Sequence, residues 1–343
     1  MSQLDPQSLD YFYARSLRPS PGTWIRHILL LLVTFCTMTI AGVLWPFGMI
    51  DYLPQADPQS FQEVLQLLQR LPTGYYSVIR QAIEALINEP GYLTYGLSFS
   101  LSLVFILTSH EMGHYIACRI YRVQSTLPFF IPTPPMIGPA GTFGAFIKIQ
   151  SPMPSRRAVF DIGVAGPIAG FIALIPIAII GFVTMQQPSG VEMASLPPGS
   201  IYFSDPLFYR LLAWIGGINL KVPMEHNAFY SAAWVGLLVT ALNLIPSGQL
   251  DGGHAMYAIF GKRVHWWTGR AAFVAMAAFS IVGWFVFGSP SGFLIAVLLG
   301  VMMRIKHPEP LDDEPLDAKR KIIAFLTLLI FILCFSPFPI QLN

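Results

Sequence analysis

Long apolar segments dominate this chain and restrict it to folds that a lipid bilayer can hold. Of its 343 residues, 54% are hydrophobic and only 11% are charged, whereas an ordinary soluble domain carries about 25% charged residues. A run of about 20 apolar residues is long enough to cross the hydrocarbon layer as a helix. The sequence therefore predicts an all-α polytopic membrane protein in a lipid bilayer. A net charge of +2 gives no reason to expect nucleic acid as a partner.

Six segments have the length and apolarity of a membrane span. The predicted spans are 26–47, 92–118, 158–184, 228–246, 267–288 and 321–338. A seventh apolar segment, 292–303, is short, and it could be a tilted span, a half-helix or a surface helix. We therefore expect about six to seven transmembrane helices.

Two stretches between the second and third spans are not expected to be helical. Residues 128–135 contain four prolines, which a continuous helix cannot accommodate, and we predict a loop there. Residues 141–150 are rich in β-branched and aromatic side chains between glycine and proline, which favours a short strand or hairpin. Later in the chain, residues 306–321 are rich in proline and acidic residues, which is typical of an exposed connector.

Basic residues flank the spans on one predicted side. They lie before or at the start of the first span, between the second and third, and between the fourth and fifth or at the start of the fifth: Arg15, Arg18, Arg26, Arg119, Arg122, Lys148, Arg156, Arg157, Lys262, Arg263 and Arg270. Because cytoplasmic loops carry an excess of Lys and Arg, all three regions are predicted to face the cytoplasm. A polar N-terminal lead unlike a transit peptide favours a bacterial plasma membrane.

An H-E-x-x-H motif, His110 to His114, stands at the end of the second span. Two histidines four residues apart share one helix face and can reach one metal ion. Ionisable groups at membrane depth are costly unless they are paired or ligated. Zinc in hydrolytic sites takes three protein ligands, and Asp251, just after the fourth span, is the candidate third. The alternatives are a polar cluster lining a pore and an Asp251 that only N-caps the helix beginning at Gly252.

The pairing of this motif with Asn243 and Asp251-Gly252, on two spans of a charge-poor chain, resembles the site-2 protease family of intramembrane zinc metalloproteases. The likeness covers about 92–262. It implies one Zn²⁺ per chain held by His110, His114 and Asp251, catalysis by Glu111, and contact between Asn243 and the substrate carbonyl. The outward connections are too short for the PDZ domain of many bacterial members, so the chain is similar to the PDZ-less branch.

This resemblance implies an endopeptidase that cleaves in or near transmembrane segments of other membrane proteins, with its active site towards the cytoplasm. The catalytic core would be 92–262, between an N-terminal region, 1–91, and C-terminal spans, 263–343. A strand at 141–150 could pair with a locally unwound substrate. The rival hypothesis is a membrane metal or ion transporter. An inactive relative is disfavoured because Glu111 and all three ligand candidates are present. The oligomeric state is left open.

Several polar residues near the motif keep more than one interpretation. Asn243 could hydrogen-bond between helices without touching substrate. Asp161 could support a ligand or lie at the rim, and His254, three residues after Asp251, could orient a ligand. A glycine series in the third span, Gly163, Gly166 and Gly170, is interpreted as packing that permits close helix approach.

Overall fold

The structure, a computed structural model, describes residues 19–50, 60–185, 201–220, 227–289, 291–305 and 307–342. This part of the chain contains nine α-helices, one short 3-10 helix at Pro139–Gly141 and two small antiparallel sheets. The helices are α1 Pro21–Val43, α2 Phe61–Asn88, α3 Pro90–Ile120, α4 Arg156–Thr184, α5 Leu207–Gly216, α6 Ala228–Asn243, α7 Asp251–Phe287, α8 Ser291–Met302 and α9 Ala318–Cys334. The strands are β1 Phe129–Pro132, β2 Thr142–Phe146, β3 Ile201–Phe203 and β4 Ile340–Leu342. Arg15, Arg18 and Lys306 lie outside the described residues.

Four of the described helices, α1, α3, α4 and α7, are long and apolar enough to cross a membrane. The chain is therefore an integral membrane protein that is mostly helical. Helices α6 and α9 coincide with predicted spans but have only 16 and 17 residues, and α8 has 12. The expectation of six to seven spans is thus confirmed for four.

The helices pack closely at glycine residues, which have no side chain. An ideal Cβ on Gly113 of α3 would lie 2.4 Å from the carbonyl oxygen of Ala165 on α4, and one on Gly236 of α6 would lie 2.8 Å from the side chain of Leu174. Close approach of this kind is how helices associate in lipid, where the surrounding tails are as apolar as the core. Helices α3, α4 and α6 thereby form the central bundle around a core that includes Leu103 and Leu237.

A β-hairpin stands against this bundle between α3 and α4. Strand β2 lies within the predicted strand at 141–150, and it pairs antiparallel with β1, so the prediction of a loop throughout 128–135 is wrong at Phe129–Pro132. Proline is tolerated there because it stands at the strand end and beside a register irregularity. Phe130 and Ala145 are buried in the helical core. The non-helical backbone is therefore sheltered by protein, as membrane depth requires.

Helix α7 is interrupted at Gly261, whose backbone angles are φ 83° and ψ 178°. A break of this kind deprives the preceding carbonyls of their usual helical partners. Arg156, the first residue of α4, donates from Nε to the carbonyl oxygen of Ala258 at 2.6 Å. The same guanidinium lies 3.5 Å from a carboxylate oxygen of Asp313. Arg156 therefore ties α4 and the acidic connector to the broken helix.

The acidic connector is exposed at most of its residues, as expected, and its backbone is also docked against the rest of the chain. The backbone N–H of Leu311 donates to the carbonyl of Met153 at 3.0 Å, and that of Arg156 donates to the carbonyl of Asp312 at 2.9 Å. Leu316 is buried in a cluster with residues of α4. Sequence pattern alone missed this docking because the acidic side chains remain largely at the surface while the backbone and one leucine make the contacts.

Candidate metal centre

Helix α3 places the two histidines and the glutamate of the motif inside the protein. The exposed fractions of His110, Glu111 and His114 are 4%, 7% and 7%. Residues four apart lie one above the other on a helix face, and the Nε2 atoms of His110 and His114 are 3.1 Å apart.

Asp251 approaches from α7, of which it is the first residue. The residue at the N-cap position is Leu250, so the interpretation of Asp251 as an N-cap is wrong. Its carboxylate is turned to the histidines instead: Oδ2 lies 3.2 Å from His110 Nε2 and Oδ1 lies 3.3 Å from His114 Nε2. Among the described residues, these three form the one group whose ligand atoms all lie within 4.8 Å of one another.

The separations of these donor atoms fit a zinc ion. With Zn–N and Zn–O bonds near 2.05 Å, the edge of a coordination tetrahedron is roughly 3.3 Å. The three observed separations are 3.1, 3.2 and 3.3 Å. Two imidazoles and one carboxylate are also among the ligand sets that catalytic zinc uses, with a fourth position left open. The residues present therefore fit the ion in both chemistry and spacing.

A backbone carbonyl fixes the orientation of one imidazole. His114 Nδ1 lies 2.7 Å from the carbonyl oxygen of Ile162 on α4. A carbonyl can only accept, so Nδ1 carries the proton and Nε2 presents its lone pair to Asp251 and His110. The sequence contains no signal for this partner, because any residue type at position 162 offers the same carbonyl.

Two glycines of α4 make room for the histidine rings. An ideal Cβ on Gly166 would lie 2.1 Å from His114 Nε2, and one on Gly170 would lie 3.1 Å from His110 Cβ. Gly163, one turn earlier, faces the first turn of α7, where its Cβ would lie 2.8 Å from that of His254. The prediction that these glycines serve packing is confirmed, and what they pack against is the site itself.

Glu111 lies beside the three candidate metal ligands but is not one of them. Its Oε1 atom is 4.0 Å from His110 Nε2, and the backbone of Ile147, just after β2, lies next to its carboxylate. The end of the hairpin strand therefore reaches the site. Both a proton acceptor and an extended backbone segment stand next to the three donor atoms.

For three further polar residues, the sequence allows more than one interpretation. Asn243, the last residue of α6, has its Nδ2 atom 3.4 Å from His110 Nε2, so it does reach between helices. Asp161 is bonded to Arg320 and Tyr121, which makes it part of a charged network at the rim. His254 is hydrogen-bonded to His307 at 2.7 Å.

The fold and the site together define a class: an integral membrane protein with a buried pair of histidines, an aspartate and a neighbouring glutamate near one end of its helices. The profile of Peptidase family M50 matches residues 98–286. The chain belongs to this family. Because the family is one of peptidases, the transporter alternative finds no support.

Curated relatives carry names that agree with this membership. The probable zinc metalloprotease EGY1, chloroplastic, of Arabidopsis thaliana is 26% identical over 93% of this chain and 54% of that protein. The rice protein of the same name (Oryza sativa subsp. japonica) is 28% identical over 63% of this chain and 36% of its own length. The chain thus spans between a third and about half of these relatives. A solved site-2 protease from Methanocaldococcus jannaschii covers 72% of this chain and 90% of that chain, with 14% identity and a TM-score of 0.35.

Proposed function

We propose that this chain is an intramembrane zinc endopeptidase that hydrolyses peptide bonds in or near transmembrane segments of other membrane proteins. The observation that carries the proposal is the convergence of His110, His114 and Asp251, at separations of 3.1 to 3.3 Å, beside a buried glutamate. Membership in a peptidase family and relatives named as probable zinc metalloproteases support it.

In this proposal, one Zn²⁺ per chain is held by His110 and His114 through Nε2 and by the Asp251 carboxylate. When bound, the ion supplies Lewis-acid polarisation of a water molecule and of the scissile carbonyl. The proton on His114 Nδ1 is retained by the Ile162 carbonyl, so the ring keeps its ligating nitrogen free.

Glu111 is proposed to move the proton. Its carboxylate is buried and lies close to the donor atoms without being one of them, so Oε1 can accept a proton from the attacking water and deliver it to the leaving amine. Asn243 is proposed to donate from Nδ2 to the substrate carbonyl. Its position 3.4 Å from His110 Nε2 supports this role, because a substrate at the metal would lie within reach of the same amide.

The β2 segment is proposed to hold the substrate. A transmembrane helix hides its carbonyls in internal hydrogen bonds and must unwind locally before it can be cleaved. The unwound backbone can add to the free edge of the hairpin, which replaces the lost bonds. The position of the Ile147 backbone against Glu111 supports this arrangement.

We also propose that the core is 92–262, flanked by 1–91 and 263–343, and that α6 and α9 cross the membrane as fifth and sixth spans. The break at Gly261 supports a boundary near 262. The basic residues at the site end of the bundle, such as Arg119, Arg157 and Lys262, support an active site towards the cytoplasm. A bacterial plasma membrane stays a prediction, and the curated relatives are chloroplastic.

The test is Glu111→Gln in the purified full chain, with a single-span reporter protein as substrate. The amide has nearly the same shape but cannot accept the proton, so we expect zinc content to stay at one per chain while cleavage falls by at least about 10²-fold. The matched control is Glu89→Gln, an exposed glutamate that precedes the same helix. Cleavage at the normal rate by the Glu111 variant, or a wild-type chain without zinc, would refute the proposal.

A further inference from the structure

The connector after α8 returns to the end of the molecule that holds the metal centre. We call residues 307–317 the C-terminal strap. Besides its backbone bonds to Met153 and Arg156, it forms ion pairs through Glu309 with Lys262 and through Glu314 with Arg157. The strap lies beyond residues 98–286, the part that the family profile matches. Its contacts therefore join a segment outside the matched part to residues within it.

The first residue of the strap, His307, contacts α7 three residues after Asp251. Its Nε2 atom lies 2.7 Å from Nδ1 of His254, and its own Nδ1 lies 2.8 Å from the carbonyl oxygen of Pro308. The ring is also stacked on Tyr257, with centroids 4.2 Å apart and an angle of 10° between the planes. One hydrogen bond, one stacking contact and an edge contact with the ring of His265 thus join His307 to α7.

The partners of His307 determine the direction of the hydrogen bond to His254. The Pro308 carbonyl can only accept, so His307 Nδ1 must carry the proton and Nε2 must be the acceptor. His254 Nδ1 then donates to His307 Nε2. The lone pair of His307 is used in this bond, so the ring acts as a fixed hydrogen-bond acceptor for α7.

The hydrogen bond between His254 and His307 can affect the position of Asp251, because His254 and Asp251 both lie in the first turn of α7. Asp251 and His254 are three residues apart and therefore lie on adjoining positions of one helix face. The N-cap residue, Leu250, offers no side-chain hydrogen bond, so this turn depends on its contacts with neighbouring segments. On one side it rests on Gly163, and His254 meets His307 on another.

We infer that His307 is a positioning residue for the metal centre: by accepting from His254 and stacking on Tyr257, it holds the first turn of α7 and thereby the carboxylate of Asp251. This inference rests on the proposed function, because the consequence it describes is zinc binding by Asp251. His254, His265 and His307 do not form a second metal site. Within the described residues, only His110, His114 and Asp251 bring three ligand atoms within 4.8 Å of one another.

The experiment compares His307→Phe with His307→Gln in the purified full chain. Phenylalanine keeps a ring against Tyr257 but cannot accept a hydrogen bond, whereas the amide oxygen of glutamine can. Zinc affinity is measured by competition with a chromophoric chelator, and the visible spectrum of Co²⁺-loaded protein reports coordination geometry. We expect about a tenfold loss of zinc affinity and shifted Co²⁺ bands in His307→Phe, and a return towards wild type in His307→Gln.

Glu309→Gln is the matched control, because it breaks an exposed ion pair of the same strap without touching His254. It should leave zinc affinity and the Co²⁺ spectrum unchanged. Wild-type affinity and spectrum in His307→Phe overturn the inference, as does an equal loss in Glu309→Gln, which would make docking of the strap, and not this hydrogen bond, the cause.

A separate measurement distinguishes failure of this inference from failure of the proposed function. If wild-type protein binds no zinc, the proposed function falls. The link between His254 and His307 is still measured by a double-mutant cycle of His254→Phe and His307→Phe on the unfolding temperature of metal-free protein. Additive effects of the two substitutions there overturn the link itself.

Discussion

Gly166→Ala is the substitution that most directly tests whether helix packing builds the metal centre. The substitution replaces none of the candidate zinc ligands and leaves Glu111 in place, yet the added Cβ would lie 2.1, 2.4 and 2.5 Å from Nε2, Cδ2 and Cε1 of His114. An ordinary contact begins at 3.4 Å, so the shortfall is 3.4 less 2.1, about 1.3 Å. Either the imidazole ring moves by this distance or α3 and α4 separate.

The cost of that movement can be estimated from the contacts of the ring. His114 is also held by the Ile162 carbonyl of the same helix α4 at 2.7 Å, and losing this hydrogen bond costs about 1 kcal/mol. Overpacking a tight core costs about 1–3 kcal/mol, and the better helix propensity of alanine offsets about 1 kcal/mol. We therefore expect a metal-free protein destabilised by about 1–3 kcal/mol. Zinc affinity should fall by about 10²-fold, because a displacement near 1 Å takes the ligand out of position.

The assay is zinc competition in detergent together with thermal unfolding of the metal-free protein. Gly170→Ala is the matched control on the same helix: its Cβ would lie 3.1 Å from His110 Cβ, a shortfall of only about 0.3 Å, so affinity should change by less than about threefold. Gly91→Ala, with no atom within 4 Å of its Cβ, controls for handling. Zinc affinity of Gly166→Ala equal to that of wild type would show that the site does not depend on this contact.

Two further predictions concern the same end of the molecule. Arg156→Gln should destabilise the protein by about 2 kcal/mol, since it removes a charged donor from the Ala258 carbonyl; Arg157→Gln, which breaks an exposed ion pair, should cost less than about 1 kcal/mol in the same thermal unfolding assay. Burial and neighbouring histidines lower the pKa of His307 from 6.5 to about 3. As the pH falls from 6.5 to about 3, His307 takes up a proton in the unfolded chain before it does so in the folded chain. This residue therefore lowers the unfolding free energy by about 1.4 kcal/mol per pH unit over that range. Thermal unfolding from pH 7.5 to 4.5 measures the slope, and a His307→Phe variant with the same slope would contradict the assignment. The titratable groups packed around that ring are His254, Tyr257 and His265.

The long helices were predictable because a bilayer imposes a simple rule on sequence. Helix α4 coincides with the predicted span 158–184 to within two residues at its start, since a continuous apolar run admits no other structure in lipid. The shorter helices could not be classified by length alone. Helix α6, with 16 residues, is about 24 Å long, and whether such an element spans a membrane depends on its neighbours and not on its composition.

The side chains of the candidate site could be predicted from the sequence, whereas the groups that hold those side chains in place could not. His110 and His114 were expected to share a face from their spacing, and Asp251 was expected near them because both regions lie at the basic ends of spans. The supports have no sequence signature of their own. The Ile162 carbonyl is a backbone group, and His307 lies 53 residues from its partner in a segment whose composition is typical of a connector.

These supports explain how a precise site can exist where the hydrophobic effect gives little help. Lipid tails compete equally well for apolar side chains, so helix positions in a bilayer depend on close packing and on polar contacts. The glycines of α4 fix the distance to the histidines of α3, and Arg156 satisfies the carbonyl exposed by the break in α7. Removing either kind of contact leaves all three candidate ligands present but allows α3 or α7 to shift. We therefore expect the site to be sensitive to substitution of the small and charged residues in the first half of α4 as well as to substitution of its ligands.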